Sequence, residues 1–238
     1  MQSTILMTCL SIQRPGRPTW RLCLNFLGAI TIRPIKCVLG SSTVDFLGHR
    51  LGHGTISLQD ENVERVKNAP RPKTRKEVRA FLGLVGYCKE FVPNFAAISA
   101  PLSDLVRKGQ PSTVNWGDSQ EKAYISLKFA VTSKPVLQMP HIAKRFILRT
   151  DASGRGLGAA LMQESDGMLF PVAYASKRLT DREQKYSVIE REAFAIVWGV
   201  KKFSLYLYGT KFTLQTDHGP RQFLKAAKFE SPRIMRYA

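Results

Sequence analysis

The order of strand-length and helix-length segments after His141 constrains the fold more than any other feature of the sequence. Three apolar runs of strand length follow one another, and Gly, Asp or Ser bounds each of them. A helical pattern then runs from about Val188 to Tyr206, KFTLQTD has the length of a strand, and PRQFLKAAK that of a short helix. This β-β-β-α-β-α order predicts an α/β (α+β) domain that begins near Lys144, with three successive antiparallel strands.

The part of the chain before this domain changes from strand patterns to helix patterns. KCVLGSSTVDFLGHRLGHGTISL, which ends at Leu58, alternates short apolar runs with Gly and Ser turns and predicts a small β-hairpin or meander. Thr74 and Glu77 have the spacing of a capping box, in which two side chains satisfy the first backbone amides of a helix. Apolar residues then recur at helical spacing, so a helix is predicted from about Arg75 to Lys89.

A second helix is predicted further along the middle of the chain. Asp118 and Glu121 repeat the box spacing, and apolar residues at helical positions follow them. Pro135 ends this pattern, and together with Pro140 it marks a linker. The segment between the meander and this linker is therefore predicted to be helical.

The excess of basic over acidic side chains predicts a polyanionic partner. The 238 residues include 36 Lys and Arg against 18 Asp and Glu, which gives a formal net charge of +18. Nucleic acid is the usual partner of such a surface, and a membrane surface is the weaker alternative. With 44% hydrophobic residues the chain can bury a sizeable core, which excludes intrinsic disorder of the whole chain.

Six basic residues near helix ends are the candidate nucleic-acid contacts. Cations at such positions neutralise phosphates without reading base sequence, so binding would be salt-sensitive. For any single one of them, a solvated helix face is the alternative. The candidates are Lys73, Arg75, Lys76 and Arg79 at the start of the first predicted helix, and Lys201 and Lys202 in the long helix.

Cysteine spacing and hydropathy argue against several other classes of protein. The four cysteines lie far apart without a Cys-x-x-Cys pair, so neither a zinc site nor a disulfide framework is indicated, and an intracellular chain is favoured. The uncharged stretch from Leu22 to Ile32 is interrupted by polar residues and is shorter than the ~20 residues of a membrane span. No membrane segment is predicted, and the sequence indicates no obligate protein partner.

Three carboxylates stand out by their positions in the predicted elements. Asp151 and Asp217 end predicted strands, and Thr precedes each, so they can share a site; the alternative is that each only forms a turn. Ser187 and Glu190 have capping-box spacing, which gives Glu190 a structural role. Glu192 instead shares its helix face with apolar residues, namely Val188, Ile189, Ala195, Ile196, Gly199 and Phe203.

A carboxylate on an apolar helix face needs a positive partner, because an unpaired buried ion is costly. Three converging carboxylates make the hard-oxygen site that Mg²⁺ prefers. Two such ions about 3.5–4 Å apart would activate a water and stabilise the leaving oxygen of a phosphodiester. Asp151, Glu192 and Asp217 are therefore the candidate catalytic residues and metal ligands.

Four segments of the second half carry a resemblance to a known family: FILRTDASGRGLGAALMQ, FPVAYASKRLT, YSVIEREAFAIVWGVKKFSLYLYG and FTLQTDH. Together they resemble the ribonuclease H domain of Ty3/gypsy-type, retrovirus-related Pol polyproteins. The family's TDAS aspartate falls on Asp151, its helix glutamate on Glu192 and its TDH aspartate on Asp217. The resemblance implies a ribonuclease H-like mixed sheet with packed helices, Mg²⁺ or Mn²⁺ as cofactor, and an RNA–DNA hybrid as substrate.

The preceding half resembles another part of the same polyproteins. KCVLGSSTVDFLGHRLGHG and PKTRKEVRAFLGLVGYCKEFVPNFAAISAPLSDLVRKG resemble the end of the reverse transcriptase palm and its thumb/connection region. The predicted division is a poorly ordered leader over residues 1–34, a palm-end and thumb/connection-like region over 35–139, and a ribonuclease H-like domain over 140–238. The resemblance implies that this last domain is truncated before its final strand.

Two departures from the family narrow the predicted function. The polymerase turn Tyr-x-Asp-Asp is missing, since Asp-Asp occurs nowhere in the chain, so polymerase activity is not expected. The family's fourth acid, near an Ala-Asp-Ala-Leu-Ser motif, also has no counterpart here. The predicted function is metal-dependent endonucleolytic hydrolysis of the RNA strand of RNA–DNA hybrids, and the alternative is a catalytically inactive nucleic-acid-binding remnant.

Overall fold

A computed structural model describes residues 41–216 of the chain. The predicted leader, Asp217 and the predicted PRQFLKAAK helix lie outside the described residues. The strands are β1 (Thr43–Phe46), β2 (His49–Gly52), β3 (Thr55–Leu58), β4 (Val136–Gln138), β5 (Phe146–Ala152), β6 (Gly156–Ser165), β7 (Met168–Arg178) and β8 (Thr213–Thr216). The α-helices are α1 (Asp60–Lys67), α2 (Arg75–Tyr87), α3 (Phe95–Leu105), α4 (Asp118–Thr132), α5 (Val188–Lys202) and α6 (Ser204–Leu207). Over residues 41–216, every helix is too short or too polar to cross a lipid bilayer.

The first sheet confirms the predicted meander and adds a strand to it. Strands β1, β2, β3 and β4 lie in that order, and all neighbouring pairs are antiparallel. The interpretation of Pro135 to Pro140 as a linker was wrong for its middle part, because β4 lies there. Leu137 is buried and pairs with Ile56 of β3, so the two prolines flank a short strand that contributes to the core.

Helix α2 begins where the sequence predicts. The Thr74 hydroxyl accepts a hydrogen bond from the Glu77 amide at 3.3 Å. The Glu77 carboxylate in turn accepts from the Lys73 amide at 2.7 Å, one residue earlier than in a standard capping box. The helix ends at Tyr87, two residues before the predicted Lys89, and a short 3₁₀ turn follows.

Helix α4 confirms the second predicted helix but not its predicted cap. Gly117 is the N-cap residue, and its amide donates to the Gln120 side chain at 3.2 Å. Glu121 does not bond back to Asp118; its carboxylate accepts from the Trp116 indole N–H at 2.6 Å. The partly buried indole, five residues before Glu121, needs an acceptor, so this contact replaces the predicted box.

The second sheet has the order β7-β6-β5-β8. Strands β5, β6 and β7 are antiparallel as predicted, and β8 pairs with β5 in parallel. Helix α5 packs closely on one face, because a Cβ at Gly199 would lie only 3.1 Å from the Thr150 methyl carbon. Leu148 and Leu161 are fully buried in the core of this sheet. The mixed α/β organisation confirms the predicted fold class.

Helix α5 is shorter than predicted, and its apolar face is incomplete. It ends at Lys202, and a turn at Phe203 separates it from α6. Glu192 and Ala195 are buried as the helix face predicts, but Val188 is 52% and Ile189 is 40% exposed. Val188 precedes Glu192 by one turn on the same face, so the buried part of that face begins only after the first turn.

The other face of the second sheet contacts the first half of the chain through α3. The Ala96 amide donates to the Ser176 hydroxyl of β7 at 2.8 Å. Arg178, also on β7, forms an ion pair with Asp104 of α3 at 2.7 Å. These contacts hold both ends of α3 against β7. The predicted domain limits at 34/35 and 139/140 remain predictions.

Candidate active site

Asp151 lies near the C-terminal end of β5, on the sheet face opposite α5. Leu148 and Thr150 contact α5 at Gly199, so the alternation of side chains along a strand turns Asp151 the other way. Its register partner on β6 is Gly158. The Asp151 side chain is exposed, and it makes no hydrogen bond or ion pair with another residue of the 41–216 range.

The register of β5 against β8 aligns the threonines of the two Thr-Asp dipeptides of the sequence. Thr150 pairs with Thr216, the last described residue of the parallel strand β8. Asp151 follows the first threonine and Asp217 follows the second. Asp217 itself lies outside the described residues, so its predicted role remains a prediction.

Glu192 is a buried acid on α5, with only 5% of its surface exposed. Ala195, one turn later, packs in a small cluster with Leu157 and against Ala152, the last residue of β5. This packing sets the N-terminal half of α5 at the same end of β5 as Asp151. Glu192 therefore approaches this end from the helix side of the sheet, and Asp151 lies on the other side.

Glu190 has the capping role that the sequence predicts. Its carboxylate accepts from the Ser187 amide at 3.0 Å, and its own amide donates to the Ser187 hydroxyl at 3.2 Å. This reciprocal pair satisfies two amides in the first turn of α5. The structure thus separates the structural acid, Glu190, from the buried acid, Glu192.

The donor chemistry of the predicted trio suits a hard divalent cation. Carboxylate oxygens are the ligands of Mg²⁺ and Mn²⁺ in proteins. Among the described residues, no three Asp, Glu, His or Cys side chains are grouped closely enough to hold a metal ion. Asp151 and Glu192 are the two predicted ligands within that range, so the three-acid site stays a prediction.

The segment before α5 is stabilised by an ion pair that the sequence analysis did not identify. Lys177 of β7 lies 2.7 Å from the Glu183 carboxylate, and its ammonium lies 4.5 Å from the ring centre of Phe194. Burial acts to raise the pKa of Glu183. Hydrogen bonds from Lys177 and Thr180 outweigh it and hold that pKa below the ordinary glutamate value.

A cleft of about 210 Å³ opens beside Asp151, between the second sheet and the turn before α3. Asn94, at the N-cap of α3, has a left-handed backbone with φ of 53°. Its side-chain oxygen would lie 2.8 Å from a Cβ at Gly158, so only glycine fits there without displacement. The Pro-Asn pair signals a turn, but only the fold shows that this turn lies beside Asp151.

The structure divides the predicted nucleic-acid contacts into two groups. Arg75 donates to the Gln110 carbonyl at 2.7 Å, Arg79 to the Val106 carbonyl at 3.5 Å, and Lys202 lies 3.8 Å from Glu90. These three side chains thus have contacts within the protein. The ammonium groups of Lys73, Lys76 and Lys201 make no hydrogen bond or ion pair with other residues between 41 and 216.

Comparison with protein families gives a match over residues 116–214 to the RNase H-like domain found in reverse transcriptase. The chain is 36% identical over 206 residues to the retrovirus-related Pol polyprotein from transposon 297 of Drosophila melanogaster. The corresponding polyprotein from transposon 412 is 35% identical over 207 residues. The transposon Tf2-3 polyprotein of Schizosaccharomyces pombe is 33% identical over 192 residues. These alignments cover 85%, 87% and 79% of this chain but only 19%, 17% and 14% of the three relatives.

Solved structures show the same fold. A foamy viral protease-reverse transcriptase in complex with double-stranded DNA superposes with a TM-score of 0.71 and 22% identity, over 84% of this chain and 36% of that one. The foamy viral enzyme in complex with an RNA/DNA hybrid gives 0.68 and 22% identity, over 82% and 27%. At this identity the likeness supports the predicted fold alone.

Proposed function

Because this chain belongs to the retrovirus-related Pol polyproteins of retroelements and contains their RNase H-like domain, we propose that it hydrolyses the RNA strand of RNA–DNA hybrids with Mg²⁺ or Mn²⁺. The chain spans less than a fifth of the length of these relatives. The proposal therefore concerns the ribonuclease H-type reaction and not the other activities of a whole polyprotein.

The register between β5 and β8 carries this proposal. Thr150 pairs with Thr216, so the threonines that precede the two predicted aspartate ligands lie side by side on neighbouring parallel strands. The buried Glu192 approaches that end of β5 from α5. The convergence of three carboxylates that the proposal requires would be costly unless a cation accompanied them.

The three acids share one role in the proposed reaction. Asp151, Glu192 and Asp217 would hold the metal ions through their carboxylate oxygens. Bound there, the ions would lower the pKa of the attacking water and stabilise the leaving oxygen of the phosphodiester. The partly basic surface would hold the hybrid through its phosphates, so cleavage would depend on strand type and not on base sequence.

The test is hybrid cleavage by the purified chain and by its Asp151→Asn variant. We expect cleavage of the RNA strand only with Mg²⁺ or Mn²⁺, and none by the variant, because a near-isosteric amide removes one ligand charge without disturbing packing. Asp166→Asn is the matched control, since Asp166 lies in the β6–β7 turn with a left-handed φ of 52°, which asparagine also adopts.

Two results would contradict the proposal. Cleavage that survives in EDTA or in Asp151→Asn would remove the metal-site assignment. Binding of hybrid without any cleavage, equally strong with and without metal, would support the alternative of a catalytically inactive nucleic-acid-binding protein.

A further inference from the structure

The cleft beside Asp151 has a floor of small residues between polar walls. One row of residues paired across neighbouring strands of the second sheet consists, in order, of Gln215, Arg149, Ala160 and Tyr174. Register partners share a face, so Arg149 and Tyr174 point the same way from strands about 10 Å apart. Ala160 between them is too small to fill that space, and the cleft therefore opens over β6.

The next row on the same face contains the catalytic candidate. It runs from Asp151 to Gly158 and on to Ser176. Gly158 again leaves the floor open, and Asn94 reaches over it from the turn before α3. The hydrogen bond from the Ala96 amide to Ser176 fixes that turn in place.

The polar groups that line this cleft have few partners in the protein. Arg149 has one side-chain hydrogen bond within residues 41–216, a long contact of 3.3 Å from its Nε to Gln215. The Tyr174 hydroxyl and the Asn94 carboxamide have none among the described residues. Burial raises the pKa of Tyr174, and the positive charge of Arg149 acts in the opposite direction.

We propose that this cleft is a subsite for a backbone phosphate of the nucleic-acid substrate, bound by Arg149 with Tyr174 and Asn94 as hydrogen-bond donors. The inference rests on the proposed function, because it takes the RNA–DNA hybrid as the ligand. Guanidinium, phenol and carboxamide groups are typical phosphate contacts in nucleic-acid complexes.

The position of Arg149 along the strand defines which phosphate the subsite holds. Arg149 and Asp151 are two residues apart on one strand face, which separates them by about 7 Å. That spacing is comparable with one nucleotide step of a strand. Arg149 would therefore hold the phosphate next to the one bound at the metal site. Without metal, the negative charge of the Asp151 carboxylate would repel a phosphate from the position beside Asp151.

The experiment measures hybrid binding in EDTA, so that it does not depend on cleavage. We expect Arg149→Gln to weaken binding of a short RNA–DNA hybrid by about tenfold, since a charge-assisted hydrogen bond is lost. Arg145→Gln is the matched control: it makes the same charge change at an exposed position just before β5. Ala160→Leu tests the cleft itself, because it fills the floor without altering charge, and we expect a similar loss.

The outcomes separate this proposal from the proposed function. Equal binding losses for Arg149→Gln and Arg145→Gln would overturn the subsite, even if the parent chain cleaves hybrid. Wild-type binding by a folded Ala160→Leu variant would overturn it as well, by showing that Arg149 acts outside the cleft. If Ala160→Leu does not fold, the comparison of the two arginine variants decides. A selective loss in Arg149→Gln supports the subsite even if the parent chain shows no cleavage.

Discussion

At the scale of single residues, Glu190 and Glu192 show how two positions in one helix decide the role of a carboxylate. Glu190 lies in the first turn of α5 and exchanges hydrogen bonds with Ser187. Glu192 points about 200° away around the helix and is buried. The same side-chain chemistry thus serves helix capping at one position and a proposed metal site at the other.

Replacing each of these acids with glutamine tests that division. Glu192→Gln is expected to abolish metal-dependent hybrid cleavage, because it removes one ligand charge. Glu190→Gln is expected to cleave at nearly the wild-type rate, since glutamine also completes a capping box. The measurement is the initial cleavage rate at saturating Mg²⁺, and the reverse pattern would show that the register of α5 is assigned wrongly.

The Asn94–Gly158 approach is a second residue-scale feature that mutation can test. Gly158→Ala is expected to lower the free energy of unfolding by up to about 1 kcal/mol, because the new methyl group forces the Asn94 side chain to move. Asn94→Gly keeps the left-handed backbone and removes that oxygen. Urea unfolding should therefore show that adding Asn94→Gly to Gly158→Ala restores most of the lost free energy of unfolding. If the effects of the two substitutions simply add in the double variant, the contact between Asn94 and Gly158 is contradicted.

At the scale of elements, the segment between β7 and α5 shows how a loop is fixed beside the candidate site. Glu183 accepts from Lys177 at 2.7 Å and from the Thr180 amide at 2.8 Å. Arg191 of α5 donates to the Gln184 carbonyl at 3.3 Å. Side chains of β7 and α5 thus hold the loop at both ends, next to the helix turn that carries Glu192.

The lowered pKa of Glu183 predicts a pH dependence of stability. A carboxyl whose folded-state pKa lies below its unfolded value stabilises the fold fully above the unfolded pKa. That contribution is lost as the pH falls through the folded-state pKa. Urea unfolding at several pH values should show that the free energy of unfolding falls less at acidic pH in Glu183→Gln than in the parent chain. The exposed Glu164→Gln is the control. Identical pH profiles for Glu183→Gln and the parent chain would contradict this role of the ion pair.

At the scale of the whole molecule, the basic side chains behind the net charge of +18 differ in their contacts within the protein. Arg75 ties the start of α2 to the Gln110 carbonyl in the loop after α3. Lys73 and Lys76 flank it without such a side-chain bond in the described part of the chain. A basic cluster in the sequence is therefore partly a structural feature and partly a set of exposed cations that remain predicted phosphate contacts.

This distribution predicts separate effects on binding and on stability. The logarithm of hybrid affinity is expected to fall linearly with the logarithm of salt concentration, because phosphate contacts release counterions. Lys73→Ala and Lys76→Ala are expected to reduce that slope by about one unit for each residue that contacts a phosphate. Arg75→Ala is expected to lower the free energy of unfolding as well, by about 1 kcal/mol, through the lost hydrogen bond.

Fluorescence anisotropy of a labelled hybrid at several salt concentrations measures the slopes, and urea unfolding measures the stability difference. A flat salt dependence in the parent chain would remove the nucleic-acid interpretation of its charge. An unchanged slope in the Lys73 and Lys76 variants would move the phosphate contacts to another face, with Lys201 the next candidate.

The sequence by itself determined the features whose interactions span three or four residues. The Thr74 and Ser187 caps, the three successive strands and the burial of Glu192 all follow from local spacing, and the structure confirms them. Such patterns can be recognised because the partners are neighbours in the chain, so the geometry of one helix turn or one strand fixes their contact.

Only the tertiary structure decided the features that depend on partners far apart in the chain. Val136–Gln138 becomes a strand because β3 offers it an open edge. Asn94 meets Gly158 across 64 positions of sequence, which no local pattern encodes. The parallel register that aligns Thr150 with Thr216 is of the same kind. Local spacing selects elements, but the choice of partner, register and face is made by packing between elements that are distant in sequence.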